Sequence, residues 1–215
     1  MMNSSVSLIN HRATMVRYLM EGEPAYFPRV FMSNTFFLSR MQERAGLYED
    51  AGVCKWRYKN GLDIGQVDRI IIPVNLNNMH WVLVVADIRQ RSFLFYDSMY
   101  AGGAAPVLGT VRRWLGDEVR ARLGDDAFES WELSDWACVV DVGFPRQTDG
   151  GSCGVFVMAA ADCFSLRAPL SFRQAAVPVL RQRMSVALFA DSLTILDGCL
   201  HLPQVELADD ADEDV

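Results

Sequence analysis

The sequence has few of the features that define several common protein classes. Its 215 residues contain no apolar run close to the roughly 20 residues that span a bilayer, and the N-terminus has no apolar segment typical of a cleavable secretory signal. Only three histidines are present, and the five cysteines show no Cys-x-x-Cys spacing. We therefore expect no membrane association, no metal and no cofactor. We also expect the protein to reside in a reducing intracellular compartment.

Clustered positive charge is also absent, and much of the negative charge lies at one end. The formal net charge is −7 at pH 7, and the last ten residues, ELADDADEDV, hold six acidic side chains and no basic one. Outside those ten residues the formal charge is only −1, and no basic patch predicts nucleic-acid binding. We expect residues 204–215 to be a disordered acidic tail and residues 1–203 to form one monomeric domain around one core.

The order of the predicted elements indicates an α+β fold. Runs of β-branched and aromatic residues predict strands at 69–76, 80–88, 92–98 and 136–144. Apolar residues at helical spacing predict helices at 5–20, within 28–44, at 106–123, from Cys153, and in a last segment that Pro178 starts or kinks. The expected architecture is a central antiparallel sheet flanked by helices.

A reactive thiol is indicated where a polar, glycine-rich loop becomes an apolar helix, in RQTDGGSCGVFV. Cys153 stands at this junction, whereas Cys163 lies inside the apolar run, where a structural cysteine would lie. A helix N-terminus has free N–H groups and partial positive charge, which stabilise a thiolate. Cys153 is therefore a candidate nucleophile that needs a base, an orienting group and an oxyanion site.

His80 and Asp97 are candidates for the base and its orienting group. His80 opens one predicted strand and Asp97 closes the next, so antiparallel pairing would bring the two side chains within hydrogen-bond reach. The aspartate would orient the imidazole and stabilise its charged form. Taken singly, a structural histidine and a turn aspartate are the commoner roles. The presence of Cys153 favours the catalytic interpretation.

The loop before Cys153 supplies a candidate for the oxyanion site. The amide of Gln147, six residues upstream, can donate to an oxyanion beside the backbone N–H of Cys153, although a solvated loop glutamine is the alternative. Gly150, Gly151 and Gly154 are expected to allow tight turns and close approach of a substrate backbone.

Together these motifs resemble the ubiquitin-like-protein-specific cysteine proteases, the Ulp/SENP group of SUMO proteases (peptidase family C48). The shared pattern is His-Trp, a strand and turn, Asp-Ser, then Gln-x-x-Gly-x-x-Cys-Gly, which here reads MHWVLVVADIRQRSFLFYDSM and PRQTDGGSCGVFV. The similarity extends to FPRVFMSNTFF, KWRYKN, RIIIPVNL and VPVLRQRM. The resemblance implies a papain-like cysteine protease fold in permuted order, with the histidine and aspartate preceding the cysteine.

Carried over residue by residue, the resemblance implies Cys153 as nucleophile, His80 as general base, Asp97 as its orienting residue and Gln147 as oxyanion donor. Trp81 would form one wall of a narrow tunnel for a Gly-Gly tail, although core packing is a competing role for it. The implied function is a thiol isopeptidase of the nucleus and/or cytoplasm that cleaves after the C-terminal Gly-Gly of a ubiquitin-like modifier, in deconjugation or precursor maturation. The expected partners are the modifier, with SUMO favoured, and its conjugates.

The sequence departs from the family pattern at two places. Ser152 stands where the family usually has an aspartate before the nucleophile. The segment MMNSSV stands where the family begins with Trp-Leu-Asn-Asp, so Met1 replaces a tryptophan that clamps the substrate tail. We expect either a longer natural chain or a different hold on the substrate. The remaining tryptophans are expected in the core or in groove walls, at Trp56, Trp114, Trp131 and Trp136.

Three other functions stay open. The first is a protease for another ubiquitin-like modifier. The second is a Cys–His acyltransferase of the kind found among bacterial effectors, which typically uses glutamate and would not need Trp81 or the spacing of Gln147. The third is a non-catalytic homologue that binds a modifier. The intact set of His80, Asp97, Gln147 and Cys153 argues against it.

Overall fold

The computed structural model describes residues 2–19, 28–41 and 62–190. The helices in these ranges are α1 (Met2–Leu19), α2 (Phe37–Met41), α3 (Ala104–Leu123), α4 (Asp125–Trp131), α5 (Cys153–Leu166) and α6 (Val177–Ala190). The strands are β1 (Val30–Met32), β2 (Arg69–Leu76), β3 (His80–Asp87), β4 (Ser92–Tyr96) and β5 (Ala137–Val140). Some sequence predictions lie outside the described residues, namely those for Met1, Trp56 and the tail 204–215.

The five strands form one mixed sheet in the order β1-β2-β3-β4-β5. The strands β2, β3 and β4 pair antiparallel, as predicted, whereas β1 pairs with β2 and β4 with β5 in parallel. The antiparallel prediction therefore holds for the three central strands and fails at the two edge pairs. Parallel neighbours need a long crossover, and α3 and α4 provide it between β4 and β5.

Alternation along β3 sends its side chains into two separate cores. Val82, Val84 and Ala86 belong to the core that includes α3, whereas Leu83 and Val85 belong to the core that includes α5. All five side chains are fully buried. A strand covered on both faces explains why this segment is continuously apolar rather than alternating.

The helix α5 is buried on nearly all sides because it packs against the sheet, α1 and α6. Its acidic side chain, Asp162, pairs with Arg12 of α1, whose side chain is only 4% exposed. The same guanidinium donates to Ser165 Oγ at 2.5 Å. A charge pair removed from water is tolerated when further hydrogen bonds accompany it. These contacts fix the helix that begins at Cys153.

Two parts of the fold differ from the predicted elements. The strand predicted at 136–144 covers only Ala137–Val140, because Asp141 has a φ of 53° in the left-handed region and ends the extended backbone. The short helix α4 was not predicted, although Asp125 and Asp126 give its first turn the acidic side chains that helix N-termini favour.

The tryptophans that the structure describes outside the strand β3 have the expected core positions. Trp114 and Trp136 are 1% and 4% exposed. Trp131 is partly buried and stacks on Trp136, with ring centroids 5.8 Å apart. None of the helices in the described ranges has the length and apolar character needed to cross a bilayer.

Candidate active site

The β3–β4 hairpin brings His80 and Asp97 together. His80 is the first residue of β3, and Asp97 directly follows β4, the antiparallel partner of β3. The Nε2 atom of His80 lies 2.7 Å from Oδ1 of Asp97. The turn before His80 is tight, and it uses Asn77 and Asn78 with φ values of 53° and 57°. Asparagine tolerates this left-handed conformation better than most residues, so these two side chains help to place the histidine.

The carboxylate of Asp97 is fully buried and its two oxygens accept N–H groups. Oδ1 accepts from His80 and from the backbone N–H of Met99 at 2.8 Å, and Oδ2 accepts from the backbone N–H of Ala101 at 2.8 Å. A buried charge needs such partners. Because the carboxylate acts as the acceptor, Nε2 of His80 carries the proton and Nδ1 is the basic atom.

A second carboxylate, Asp141, supports the backbone of Asp97. Its Oδ1 accepts the backbone N–H of Asp97 at 2.6 Å, and its own N–H donates to the carbonyl of Phe95 at 2.8 Å. Burial raises the pKa of Asp141, the hydrogen bond from Asp97 lowers it, and the charge of Asp97 raises it further. Asp141 therefore links the end of β5 to the residue that orients the histidine.

Cys153 is the first residue of α5 and is 8% exposed. Ser152 is the N-cap residue, but its hydroxyl makes no capping hydrogen bond to the helix. Its carbonyl oxygen accepts from the N–H groups of Val155 and Phe156, at 2.9 and 3.1 Å. The first turn of α5 thus lacks a side-chain cap, and its partial positive charge is available to a thiolate at Cys153.

Gln147 is buried and tied to the loop that follows Asp97. Its backbone N–H donates to the carbonyl of Ser98 at 2.9 Å, and the Ser98 hydroxyl donates to Gln147 Oε1 at 2.5 Å. Its Nε2 donates to the carbonyl of Asp149 at 2.7 Å. A primary amide has two N–H groups, so the second one remains for a substrate oxygen. The residue predicted as oxyanion donor is therefore held rigidly.

The indole of Trp81 lies against the residue that follows the nucleophile. A Cβ added to Gly154 would sit 3.6 Å from Cδ1 of Trp81 and 3.6 Å from Sδ of Met2. Trp81 and Gly154, the chain neighbours of His80 and Cys153, therefore lie next to each other. Trp81 is also partly buried against the core around α5, so it combines packing with a position at the site.

Gly150 and Gly151 differ from Gly154 in their surroundings. Neither has a positive φ, and a Cβ added to either would have no atom within 4 Å. The backbone conformation at these two positions is therefore open to any residue, and their expected role beside the substrate stays a prediction. Their open surface is compatible with close approach of a substrate.

Sequence reasoning missed two residues that organise the site, Ser98 and Asp141. Ser98 had a signal, since it belongs to the Asp-Ser dipeptide of the motif. Asp141 had no such signal in the sequence, because the parallel pairing of β4 and β5 brings it into contact with Asp97. Among the residues described, no group of three or more His, Cys, Asp or Glu side chains could hold a metal ion.

The arrangement offers a complete set of groups for acyl transfer through sulfur. The thiol of Cys153 is at the start of a helix, and a buried carboxylate orients the imidazole of His80. The amide of Gln147, in the loop before Cys153, is held by Ser98 in the loop after Asp97. Nucleophile, base, orienting group and oxyanion donor are the parts that such chemistry requires.

Comparisons with known proteins show the family of this chain. A family model described as "Ulp1 protease family, C-terminal catalytic domain" matches residues 1–193. A sentrin-specific protease of Caenorhabditis elegans is 32% identical over 177 residues, which are 82% of this chain and 24% of that protein. Ubiquitin-like-specific protease 1 of Saccharomyces cerevisiae is 26% identical over 183 residues, 84% of this chain and 27% of that protein. The chain thus spans about a quarter of the length of these relatives.

Solved structures show the same fold. The Ulp1-like SUMO protease catalytic domain of Chaetomium thermophilum has a TM-score of 0.66 and 25% identity, and the match covers 90% of this chain and 73% of that one. The yeast C-terminal Ulp1 protease domain, solved with the SUMO ortholog Smt3, has a TM-score of 0.63 and 23% identity, covering 83% and 76%. The predicted α+β, papain-like fold is confirmed.

Proposed function

Because the chain belongs to the Ulp1 protease family, we propose that it is a thiol isopeptidase that cleaves after the C-terminal Gly-Gly of a ubiquitin-like modifier. The observation that carries the proposal is the 2.7 Å hydrogen bond between His80 and the buried Asp97, and Cys153 is the first residue of the helix α5. Nucleophilic cleavage of an amide requires a base held in one tautomer, and in the proposal His80 is that base for the Cys153 thiol.

In the proposed reaction, Nδ1 of His80 removes the proton from the Cys153 thiol. The thiolate attacks the carbonyl carbon of the final glycine, and the imidazolium then gives its proton to the leaving amine as the C–N bond breaks. The product is a thioester between the modifier and Cys153. His80 then takes one proton from a water molecule, whose oxygen attacks the thioester carbonyl carbon. As the C–S bond breaks, the imidazolium returns this proton to the sulfur, and the modifier leaves with a free carboxyl group.

The tetrahedral intermediate in each step carries its negative charge on the former carbonyl oxygen. In the proposal, the second N–H of the Gln147 amide and the backbone N–H of Cys153 donate to this oxygen. The contacts from Ser98 and to Asp149 support this role, because a donor fixed before the reaction does not need to reorganise as charge develops.

Selection for Gly-Gly follows from the position of Trp81. Its indole contacts Gly154, next to the nucleophile, so a substrate chain that reaches Cys153 passes close to a flat and rigid side chain. Residues without a side chain can bring their carbonyl to attack distance there. A Cβ on either glycine would collide with the indole and remove the near-attack geometry.

We further propose that the modifier is SUMO and that the enzyme acts as a monomer in the nucleus and/or cytoplasm, in precursor maturation, deconjugation or both. The support for SUMO is the similarity to solved catalytic domains that are described as SUMO proteases. The fold alone does not set the modifier, because modifier choice depends on an extended surface outside the reacting groups.

The proposal is tested with modifier proteins that carry a C-terminal electrophile in place of the final carboxylate. Purified protein is incubated with SUMO, ubiquitin and a third ubiquitin-like probe, and adducts are counted by intact mass. We expect an adduct with the SUMO probe for the wild type and for Cys138→Ala, and none for Cys153→Ala. Binding without an adduct for any probe would instead indicate a non-catalytic binder, and an adduct with another probe alone would overturn the choice of SUMO.

A further inference from the structure

Asp149 holds together the nucleophile loop, which we define as residues 147–153. Its Oδ1 accepts the backbone N–H groups of Gly151 and Ser152, at 3.0 and 2.9 Å, and its Oδ2 accepts the Ser152 hydroxyl at 2.6 Å. Its backbone carbonyl accepts Nε2 of Gln147 at 2.7 Å. One residue therefore contacts both the candidate oxyanion donor and the residue that precedes the nucleophile.

The same carboxylate is tied to a different element of the fold. Gln174, in the short turn before α6, donates its Nε2 to Asp149 Oδ2 at 2.7 Å and accepts the backbone N–H of Thr148 on Oε1 at 3.0 Å. Arg181 of α6 donates to the carbonyl of Gly151 at 3.2 Å. The nucleophile loop is thus fixed from within by Asp149 and from outside by the segment that leads into α6.

We infer that Asp149 is a positioning residue of this enzyme, which sets the peptide that enters Cys153 and the amide of Gln147 at the same time. The inference rests on the proposed function of the site. The family pattern has its aspartate directly before the nucleophile, where this chain has Ser152. Here the carboxylate is that of Asp149, three residues upstream of Ser152. The Ser152 hydroxyl donates to it instead of capping the helix.

The positioning role requires a carboxylate at residue 149, because both hydrogen bonds to Asp149 Oδ2 come from donors. The hydroxyl of Ser152 and the amide N–H of Gln174 both point at it. The hydrogen bond from Ser152 is the main cause that lowers the pKa of Asp149, so the group is an acceptor at neutral pH. In Asp149→Asn, Oδ1 keeps its backbone donors, while the new NH₂ group faces the NH₂ group of Gln174.

Asp149→Asn should lower kcat by about 10- to 100-fold with KM changed less than twofold, because the loop shifts while the modifier surface is untouched. The double variant Asp149→Asn/Gln174→Glu should recover most of kcat. In it the new glutamate accepts from Asn Nδ2 and still accepts the backbone N–H of Thr148. Gln174→Glu alone should lower kcat, since two carboxylates then face each other at a contact that is now 2.7 Å.

Asp63→Asn is the matched control. Asp63 is exposed and its Oδ1 also accepts a glycine N–H two residues on, from Gly65 at 3.2 Å. It precedes the start of β2, whereas His80 pairs with the end of that strand. Its loss should leave kcat and KM unchanged.

The experiment measures kcat and KM on a SUMO C-terminal fluorogenic amide, the rate at which iodoacetamide alkylates Cys153, and the melting temperature of each variant. A kcat of Asp149→Asn within twofold of wild type would overturn the inference, as would a loss that Gln174→Glu does not repair. If the wild type does not hydrolyse this SUMO substrate, the proposed action on SUMO fails. The alkylation rates then decide on Asp149 alone, and we expect a several-fold slower rate in Asp149→Asn with recovery in the double variant.

Discussion

Replacing Asp97 with asparagine tests the central contact of the site. The two oxygens of Asp97 accept three N–H groups, from His80, Met99 and Ala101. An asparagine has one oxygen. If that oxygen faces His80 and Met99, its NH₂ group meets the N–H of Ala101, and in the flipped orientation the NH₂ group meets His80 and Met99. The flipped orientation also forces the histidine into the wrong tautomer, with its proton on Nδ1.

The expected loss in kcat is about 10⁴-fold, which is the usual effect of this change in an oriented base and corresponds to about 5 kcal/mol in the barrier. The expected loss in the free energy of unfolding is smaller, about 1–3 kcal/mol, because one buried backbone N–H loses its acceptor. For a domain of this size that is a fall in Tm of roughly 2–12 °C. Activity should therefore be lost in a protein that is still folded.

Asp87→Asn is the matched control for this prediction. Asp87 is also buried, at 1% exposure, and accepts from Arg69 Nε at 2.8 Å and from the N–H of Gln90 at 2.9 Å. It ends the strand that His80 begins. Steady-state kinetics and thermal unfolding of both variants should show a lower Tm in each, but a lower kcat only in Asp97→Asn. If Asp97→Asn keeps kcat within tenfold of wild type, the orienting role is wrong.

Four further predictions address the remaining parts of the site. Gln147→Ala should lower kcat by about 10²–10³, the scale for one oxyanion donor, and an unchanged kcat in steady-state assays would rule that role out. Trp81→Ala should raise KM and reduce the preference for Gly-Gly over Gly-Ala substrates; equal preference in wild type and variant would leave Trp81 with core packing only. Iodoacetamide should label Cys153 faster than Cys138, although Cys138 is the more exposed thiol, and peptide mapping that finds the reverse order would contradict the assignment of the nucleophile. Because burial raises the pKa of Asp141 above its usual 3.8, the folded state binds that proton more tightly than the unfolded chain. The stability that this residue contributes is therefore lost as pH rises through the raised pKa. Asp141→Asn should remove that part of the dependence of Tm on pH. Identical curves of Tm against pH for wild type and variant would contradict this.

The parts of the site that could be predicted from the sequence are those with local signals. His80 and Asp97 lie on consecutive strands joined by a short turn, so hairpin geometry is enough to pair them. Cys153 was predicted at a helix start because a glycine-rich loop meets an apolar run there. Both inferences use periodicity and turn residues within about twenty positions of the chain.

The parts that could not be predicted depend on contacts between distant segments. Ser98 reaches Gln147 across 49 positions, and Asp141 reaches the backbone of Asp97 across 44. These contacts follow from the crossover between β4 and β5, which a propensity pattern does not encode. The contact of Asp149 with Gln174 is likewise a property of the packed fold, because neither side chain carries a local signal for the other.

The spacing of contacts along the chain also sets an order in which the site is assembled. The pair of His80 and Asp97 closes over 17 positions, and a hairpin of this kind forms in about 1–10 μs. The helix that carries Cys153 is held by contacts such as that from Arg12 to Ser165, which closes over 153 positions and carries a larger entropy cost of closure. The nucleophile loop is in addition fixed by Gln174. This residue leaves the ribosome after the His80–Asp97 pair and after the helix that carries Cys153. We therefore expect a chain still in synthesis to contain a formed base but a thiol that is not yet in place, so that hydrolysis begins only once translation has passed α6.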